Sequence, residues 1–501
     1  MKMNFKYAMM AAAISLGFAS CSDNEGNVNL PEEVGEETYV QFDLLQDNSS
    51  TRALYPEAPA EDVETTINSA AVFMLNSNKV ITKVFTFEPY EADGTTKKQN
   101  IYKATTGTYY FIAVANVPSA ATFALTDLIG KHLDNLNQVI NGINASSFGE
   151  FVDQASVNKA GKKGNFFMTS GVEMDLNQDY KQIEYTTKEL KLATYDQIVA
   201  DGKLSNPKLN YVTIRIGRGV AKVDTSVGLQ DDGTLLHVDA KGLIKPESIE
   251  YVVTNNPNAM HFFPNFGGAN LFQSPYHTAY PVDETQPTNY WPDLHDATAL
   301  TYKTPFTKKG GSIISAKGGE YSYAVENTNA EPTYGNATIV SVKAQFNPDK
   351  VVLSGATTES DNAAAVGTYD FYRIRNNKLR EDYYDNRFFL DANDADDVAK
   401  NELGLLDGEY VIEEYKNCYC YYIIPLYDEL KEITERYDIV RNHYYELTIN
   451  KVLACGYSSP GGDIDTEEPD PLDPKKDTYL HVNLVVKDWT RVRQGGPLEP
   501  R

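Results

Sequence analysis

Along most of this chain, short stretches alternate between apolar and polar residues. In "TYVQFDLLQ" (Thr38 to Gln46), Val40, Phe42 and Leu44 alternate with Gln41 and Asp43, the period of two that turns one strand face toward a core. "AAVFMLN" (Ala70 to Asn76), "KVFTFEPY" (Lys83 to Tyr90) and "TYYFIAVANV" (Thr108 to Val117) predict further strands. Thr126 to Ile143 instead carries apolar residues at helical spacing (Leu128, Ile129, Leu136, Val139, Ile140), and predicts a helix capped by Thr126. "LSNPKLN" (Leu204 to Asn210) reads as a linker, after which strands resume with "YVTIRIGRGVAKVDTSV". The Pro- and aromatic-rich stretch from His261 to Asp296 predicts an ordered excursion. "DANDADD" (Asp391 to Asp397) and the run from Gly461 to Asp477 predict acidic turns. "CYCYYIIPL" (Cys418 to Leu426), "HYYELTINKVLACG" (His443 to Gly456) and "YLHVNLVVKDW" (Tyr479 to Trp489) predict the last strands. Many short strands with irregular links argue for an all-β chain of antiparallel sandwiches.

The 501 residues exceed what one core usually serves, so two domains are expected. A composition of 42% hydrophobic and 11% aromatic residues, with 34 Tyr, suits strands. A net charge of −25 argues against a nucleic-acid binder, which needs a positive surface to release counterions.

At the N-terminus Lys2 and Lys6 precede the apolar run Tyr7 to Phe18, which is too short to span a bilayer and reads as an export signal. Phe18-Ala19-Ser20 directly before Cys21 resembles a bacterial lipobox, in which the cysteine is acylated and becomes the first residue. The remaining cysteines, Cys418, Cys420 and Cys455, are odd in number and read as buried small hydrophobes. A strand through Cys418-Tyr-Cys420 would turn both sulfurs to one face.

Charge is distributed unevenly after Cys21. Ser22 to Thr51 carries eight carboxylates (Asp23, Glu25, Glu32, Glu33, Glu36, Glu37, Asp43, Asp47) and no cation. Between Lys6 and Lys79 the one basic residue is Arg52, in "SSTRALYPE". A protease whose pocket requires a cation would find one site there.

The sequence carries no recognisable catalytic constellation. His132, His237, His261, His277, His295, His443 and His481 are scattered without metal-ligand spacing, and no GxSxG, P-loop or GxGxxG is present. "GRGVAK" (Gly217 to Lys222) reads as a strand. The acidic run Asp463, Asp465, Glu467 has Glu468 where a calcium loop needs glycine, and reads as a solvated hairpin tip. No enzyme activity, cofactor or metal is expected.

Four segments, "GTYYFIAVANV" (Gly107 to Val117), "FFMTS" (Phe166 to Ser170), "RGVAKVD" (Arg218 to Asp224) and "RNHYYELTINKV" (Arg441 to Val452), occur with the lipobox, Arg52 and the closing "VVKDWTRVRQGGPL". Together the set resembles the Bacteroidia-type fimbrillins, subunits of type V pili, and within them the short-fimbria major-subunit (Mfa-like) branch. The resemblance implies two transthyretin-like or Greek-key sandwiches, with signal 1–20, propeptide 21–52, N-terminal domain 53–205 and C-terminal domain 206–501. It implies lipidation at Cys21 for the outer membrane and cleavage at Arg52-Ala53 by an arginine-specific protease. Loss of the strand bearing Val40, Phe42 and Leu44 would then let a neighbour's C-terminus fill the groove, with Val492 and Leu498 as donor anchors. Expected partners are further copies of the chain, accessory, tip and anchor pilins, and a host or bacterial surface receptor, in adhesion, biofilm formation or coaggregation. Rival readings are an accessory, tip or anchor pilin of the same fold, and a surface glycan-binding lipoprotein using Trp291 and Tyr side chains.

Overall fold

The computed structural model describes residues 35–45, 57–58, 62–88, 100–157, 163–174, 180–201, 209–230, 234–237, 240–266, 272–277, 290–292, 300–302, 306–309, 313–316, 322–377, 383–428, 431, 435–461 and 480–489. The principal strands of the first half are β1 (Glu37–Leu45), β2 (Glu57–Ala58), β3 (Ala70–Leu75), β4 (Ile81–Phe87), β5 (Ile101–Thr105), β6 (Gly107–Ala115), β7 (Met168–Thr169), β8 (Thr186–Leu190), β9 (Tyr211–Arg215) and β10 (Gly217–Arg218). Those of the second half are β11 (Ala221–Gly228), β12 (Gly242–Ile244), β13 (Glu250–Thr254), β14 (Phe306–Lys309), β15 (Ile313–Ala316), β16 (Ser322–Ala324), β17 (Ile339–Pro348), β18 (Tyr419–Pro425), β19 (His443–Val452) and β20 (Leu480–Trp489).

The chain is all-β with a few short helices, and its strands build two packed pairs of sheets. In the first pair a three-stranded sheet, β9–β1–β5, faces the sheet β10–β7–β6–β3–β4, with β8 also paired to β6. Their common core holds Val40, Phe42 and Leu44 with Phe73, Phe85, Phe111 and Val212. In the second pair the sheet β2–β20–β19–β11–β15–β14 faces β12–β17–β13, with β18 paired to β17. Its core runs from Ala221 through Tyr251 and Phe346 to Val486. Alternation explains the layering, since β17 buries Phe346, Ala344 and Val342 in sequence steps of two.

Most neighbouring strands are antiparallel, but β1–β9, β11–β19 and β2–β20 run parallel. Each of these pairs joins strands far apart in sequence, where no hairpin dictates direction.

Three local expectations are corrected. Thr126–Ile143 is not one helix. It forms 3-10 turns at Leu125–Leu128 and Leu133–Asn135 and a strand at Val139–Asn141, and Ala124, not Thr126, is the first cap. Gly130 and Gly142 take positive φ there, and the backbone bonds to β4 instead, with Gly130 N–H donating to Ile81 O at 2.8 Å and Ile81 N–H to Lys131 O at 2.9 Å. The leucines are still buried, by tertiary pairing in place of a helical face. "DANDADD" is a helix at Ala392–Asp397, capped by the Asp391 carboxylate accepting from Asn393 N–H at 2.8 Å. Cys418 closes a 3-10 turn at φ 62°, one residue before β18, so Cys418 and Cys420 do not share a strand. Both are buried, as is Cys455, and all three are free thiols.

Two buried ion pairs join distant segments. Arg441 lies 2.6 Å from the Glu326 carboxylate and also donates to His261 O at 2.7 Å and Thr169 Oγ1 at 3.3 Å. Burial pushes the Glu326 carboxyl upward while Arg441 pulls it back, and burial with Arg441 nearby holds His261 down at about 4. Lys222 meets Glu64 at 2.8 Å, and Tyr323 OH donates to the same carboxylate at 2.8 Å. Removing one partner strands a buried charge, so Arg441→Met is expected to cost about 3–5 kcal/mol in denaturant unfolding. Adding Glu326→Leu should recover most of that loss; no recovery would mean that the hydrogen bonds to His261 and Thr169, not the charge pair, carry the effect.

Candidate strand-exchange site

β1 is the middle strand of its sheet. On one side Gln41 to Leu45 register against Tyr211 to Arg215 in parallel; on the other, Glu37 to Gln41 register against Thr105 to Ile101 in antiparallel. Val40 is fully buried, and Phe42 and Leu44 nearly so. The Phe42 ring sits 5.1 Å from Phe85, 5.7 Å from Phe111 and 5.9 Å from Tyr102, centroid to centroid. Three such side chains contribute about 1.5–3 kcal/mol each to holding the strand.

The start of β1 is fastened by polar groups that the sequence pattern did not reveal. Thr38 Oγ1 donates to Lys191 O at 2.7 Å and accepts from Ala193 N–H at 3.0 Å. Asn210 donates to Tyr39 O at 2.8 Å and to Lys191 O at 2.7 Å, and its Oδ1 accepts from Lys191 N–H at 2.7 Å. Asn210 holds φ 50°, a left-handed conformation that asparagine adopts more readily than most residues. What read as a linker residue is therefore a clamp; an Asn directly before a strand was the available signal. On the outer face Tyr211 OH donates to Asp43 at 2.9 Å, and burial followed by the Asp43 charge pushes the phenol upward, so it stays a donor. Glu37 and Lys103 pair at 3.1 Å where both are exposed, a contact worth little.

Taking β1 away would leave β5 and β9 about 9–10 Å apart, two strand spacings, with unpaired backbone groups facing an apolar trough. Phe42→Ala is expected to destabilise the uncut chain by about 3–5 kcal/mol in denaturant unfolding. A loss below about 1 kcal/mol would mean that the Phe42 ring is not packed in that core.

Among the expected site residues, Val40, Phe42 and Leu44 come together on one face and in one core. Cys21, Arg52, Ala53, Val492 and Leu498 lie outside the described residues, as do most of Gly461 to Asp477 and parts of His261 to Asp296. The next described element after β1 is β2, which belongs to the other sandwich. Trp291 packs its indole against Phe148 at 5.0 Å and donates to Pro257 O at 3.2 Å, which uses the ring in packing.

At the far end of the chain β20 pairs antiparallel with β19, from Leu480↔Val452 to Asp488↔His443. Leu480 and Val486 are buried, and Val482 and Leu484 pack against the same core. Among the described residues no group of three His, Cys, Asp or Glu is placed to hold a metal ion, and no helix is long and apolar enough to cross a membrane.

These last strands carry the sequence likeness. Residues 413–494 match the family model for the fimbrillin C-terminal domain of the type IV major fimbrial subunit protein. The fimbrillin-like segment spans β18, β19 and β20, and so supplies strands to both sheets of the second sandwich. Among solved structures, a fimbrilin from Porphyromonas gingivalis W83 is 14% identical with TM-score 0.41, over 91% of this chain and 98% of that one. The tip fimbrial protein Mfa3 from Porphyromonas gingivalis, with a C-terminal truncation, is 12% identical with TM-score 0.31, over 91% of this chain and 100% of that one. The fimbrial anchor protein Mfa2 from Porphyromonas gingivalis is 13% identical with TM-score 0.27, over 66% of this chain and 84% of that one. No curated protein matches this chain.

Proposed function

We propose that this chain is a shaft subunit of a cell-surface fimbria, non-enzymatic, polymerising by protease-triggered strand exchange. The observation that carries the reading is the place of β1. It is the paired middle strand of a sheet, its apolar row lies in the core, and the one cation between Lys6 and Lys79, Arg52, follows within a few residues. A cut there frees a strand whose loss opens a templating groove, and a second copy's C-terminus, with Val492 and Leu498 as anchors, fills it. The fimbrillin-like match over 413–494 supports the same assignment.

In this reading Cys21 carries the lipid that delivers the precursor to the outer membrane, and an arginine-specific protease makes the Arg52-Ala53 cut. Tip, anchor and accessory pilins are its partners in the fibre, and a host or bacterial surface receptor its target in adhesion, biofilm formation or coaggregation. A shaft role is favoured over an anchor because an anchor needs to keep its lipid, which the Arg52 cut removes. The test is N-terminal sequencing of the chain recovered from sheared surface fibres, with gold-labelled antibody in negative stain. The sequence is expected to begin at Ala53 and label to run along the filament; label confined to filament ends or to the membrane would overturn the shaft role.

A further inference from the structure

The inner edge of β20 is bonded to β19 along its length, while its outer edge meets one described strand. That strand is β2, and the contact falls at the very end of β20: Glu57 registers with Asp488 and Ala58 with Trp489, in parallel. The chain that makes this contact belongs to the segment just after Arg52. β1 and β2 are therefore neighbours in sequence but members of different sandwiches, and a cut between them removes one and leaves the other.

What keeps β2 in place lies four residues further on. Residues 62–64 form a 3-10 turn whose Glu64 is fully buried, with its carboxylate on Lys222 and Tyr323 and its carbonyl accepting from Arg218 Nε at 3.1 Å. Thr66 Oγ1 donates to Lys163 O at 2.6 Å, and Asn68 donates to Gly164 O at 3.0 Å and to Asn165 Oδ1 at 2.7 Å. Gly164, at φ 111°, has no side chain because a Cβ there would collide with the Val63 carbonyl. The anchor is thus built on both sandwiches and does not depend on β1. A two-residue parallel pair is marginal alone, but a three-residue link to a fixed point keeps its effective concentration high.

We infer that Glu57–Ala58 is a clasp on the C-terminal strand, holding Asp488–Trp489 in its own sheet and so fixing the point at which the following residues leave for a second copy of the chain. A strand peels from its end, and the clasp sits on that end. The mature N-terminus therefore governs how much of the C-terminus can be donated. This inference rests on the strand-exchange reading for its consequence, though not for its contact.

The contact is tested on the purified monomer cut at Arg52, by hydrogen exchange, against a chain lacking Ala53–Ala60. Amides of Val486–Trp489 are expected to exchange at least about tenfold faster without the clasp, while those of β11 keep their protection; unchanged exchange at Val486–Trp489 overturns the clasp. The consequence is tested with Glu57→Cys and Asp488→Cys joined as a disulfide. Fibre growth should proceed at the unlocked rate, because donation begins after Trp489; growth that stops at locked subunits and resumes on reduction would mean that β20 itself is donated, and overturns the inference. If the unlocked chain itself forms no fibres, the strand-exchange reading fails, while the exchange measurement still decides the contact.

Discussion

A chain carrying Arg52→Ala is expected to reach the surface with its lipid and to accumulate there as a monomer, with fibre formation lost entirely. The effect is all-or-none because an uncut β1 competes from within its own molecule. It meets the groove at an effective concentration of roughly millimolar, while donor strands arrive at the concentration of free subunits. It also brings three buried apolar side chains and backbone partners on both sides. A donor does not displace it on any useful timescale. Arg52→Lys gives the control for folding: this variant should resist an arginine-specific protease and assemble once a lysine-specific one is added. Fibres formed by Arg52→Ala, seen in negative stain, would sink the activation step.

Deletion of Thr490–Arg501 should give the second large effect. The chain is expected to fold, be cut and stay monomeric, because β20 runs to Trp489 and the described core residues of both sandwiches all precede Thr490. Its vacated groove should still take a strand. A synthetic peptide of residues 490–501 at a hundred times its dissociation constant would stabilise the cut chain by about 2.7 kcal/mol, read as a rise in Tm. Long fibres from the truncated chain would mean that the donor lies elsewhere. Absence of a Tm rise, with fibres also absent, would mean that the deleted residues act without entering the groove.

The elements legible in the sequence were those whose burial follows a local period. Val40, Phe42 and Leu44 announce β1 by alternation, and "TYYFIAVANV" announces β6. The period misled at Thr126–Ile143, where apolar spacing was helical but glycines and backbone bonds to β4 chose turns. It was uninformative at Asp391–Asp397, where acidic residues that read as a turn cap and build a helix. The fastenings of the site lie further from reach. Thr38 and Asn210 are 172 residues apart, Glu326 and Arg441 115 apart, and nothing local marks either member as buried. A single chain shows that a strand is apolar on one face, but not which distant side chains hold its end. The parallel pairing of β1 with β9 is equally hidden, since it joins strands separated by most of a sandwich.

The two-sided pairing of β1 also sets how a fibre would carry tension. A donor lying where β1 lay has neighbours on both edges and would be pulled along its own axis. Every backbone bond on both ladders is then strained together, and the subunit joint yields only when all of them fail at once. A strand held on one edge and lifted from its end would give way rung by rung. If β1 leaves its seat as proposed, a donor there would resist drag on a long filament, and the joint between subunits would gain its strength from the direction of pull.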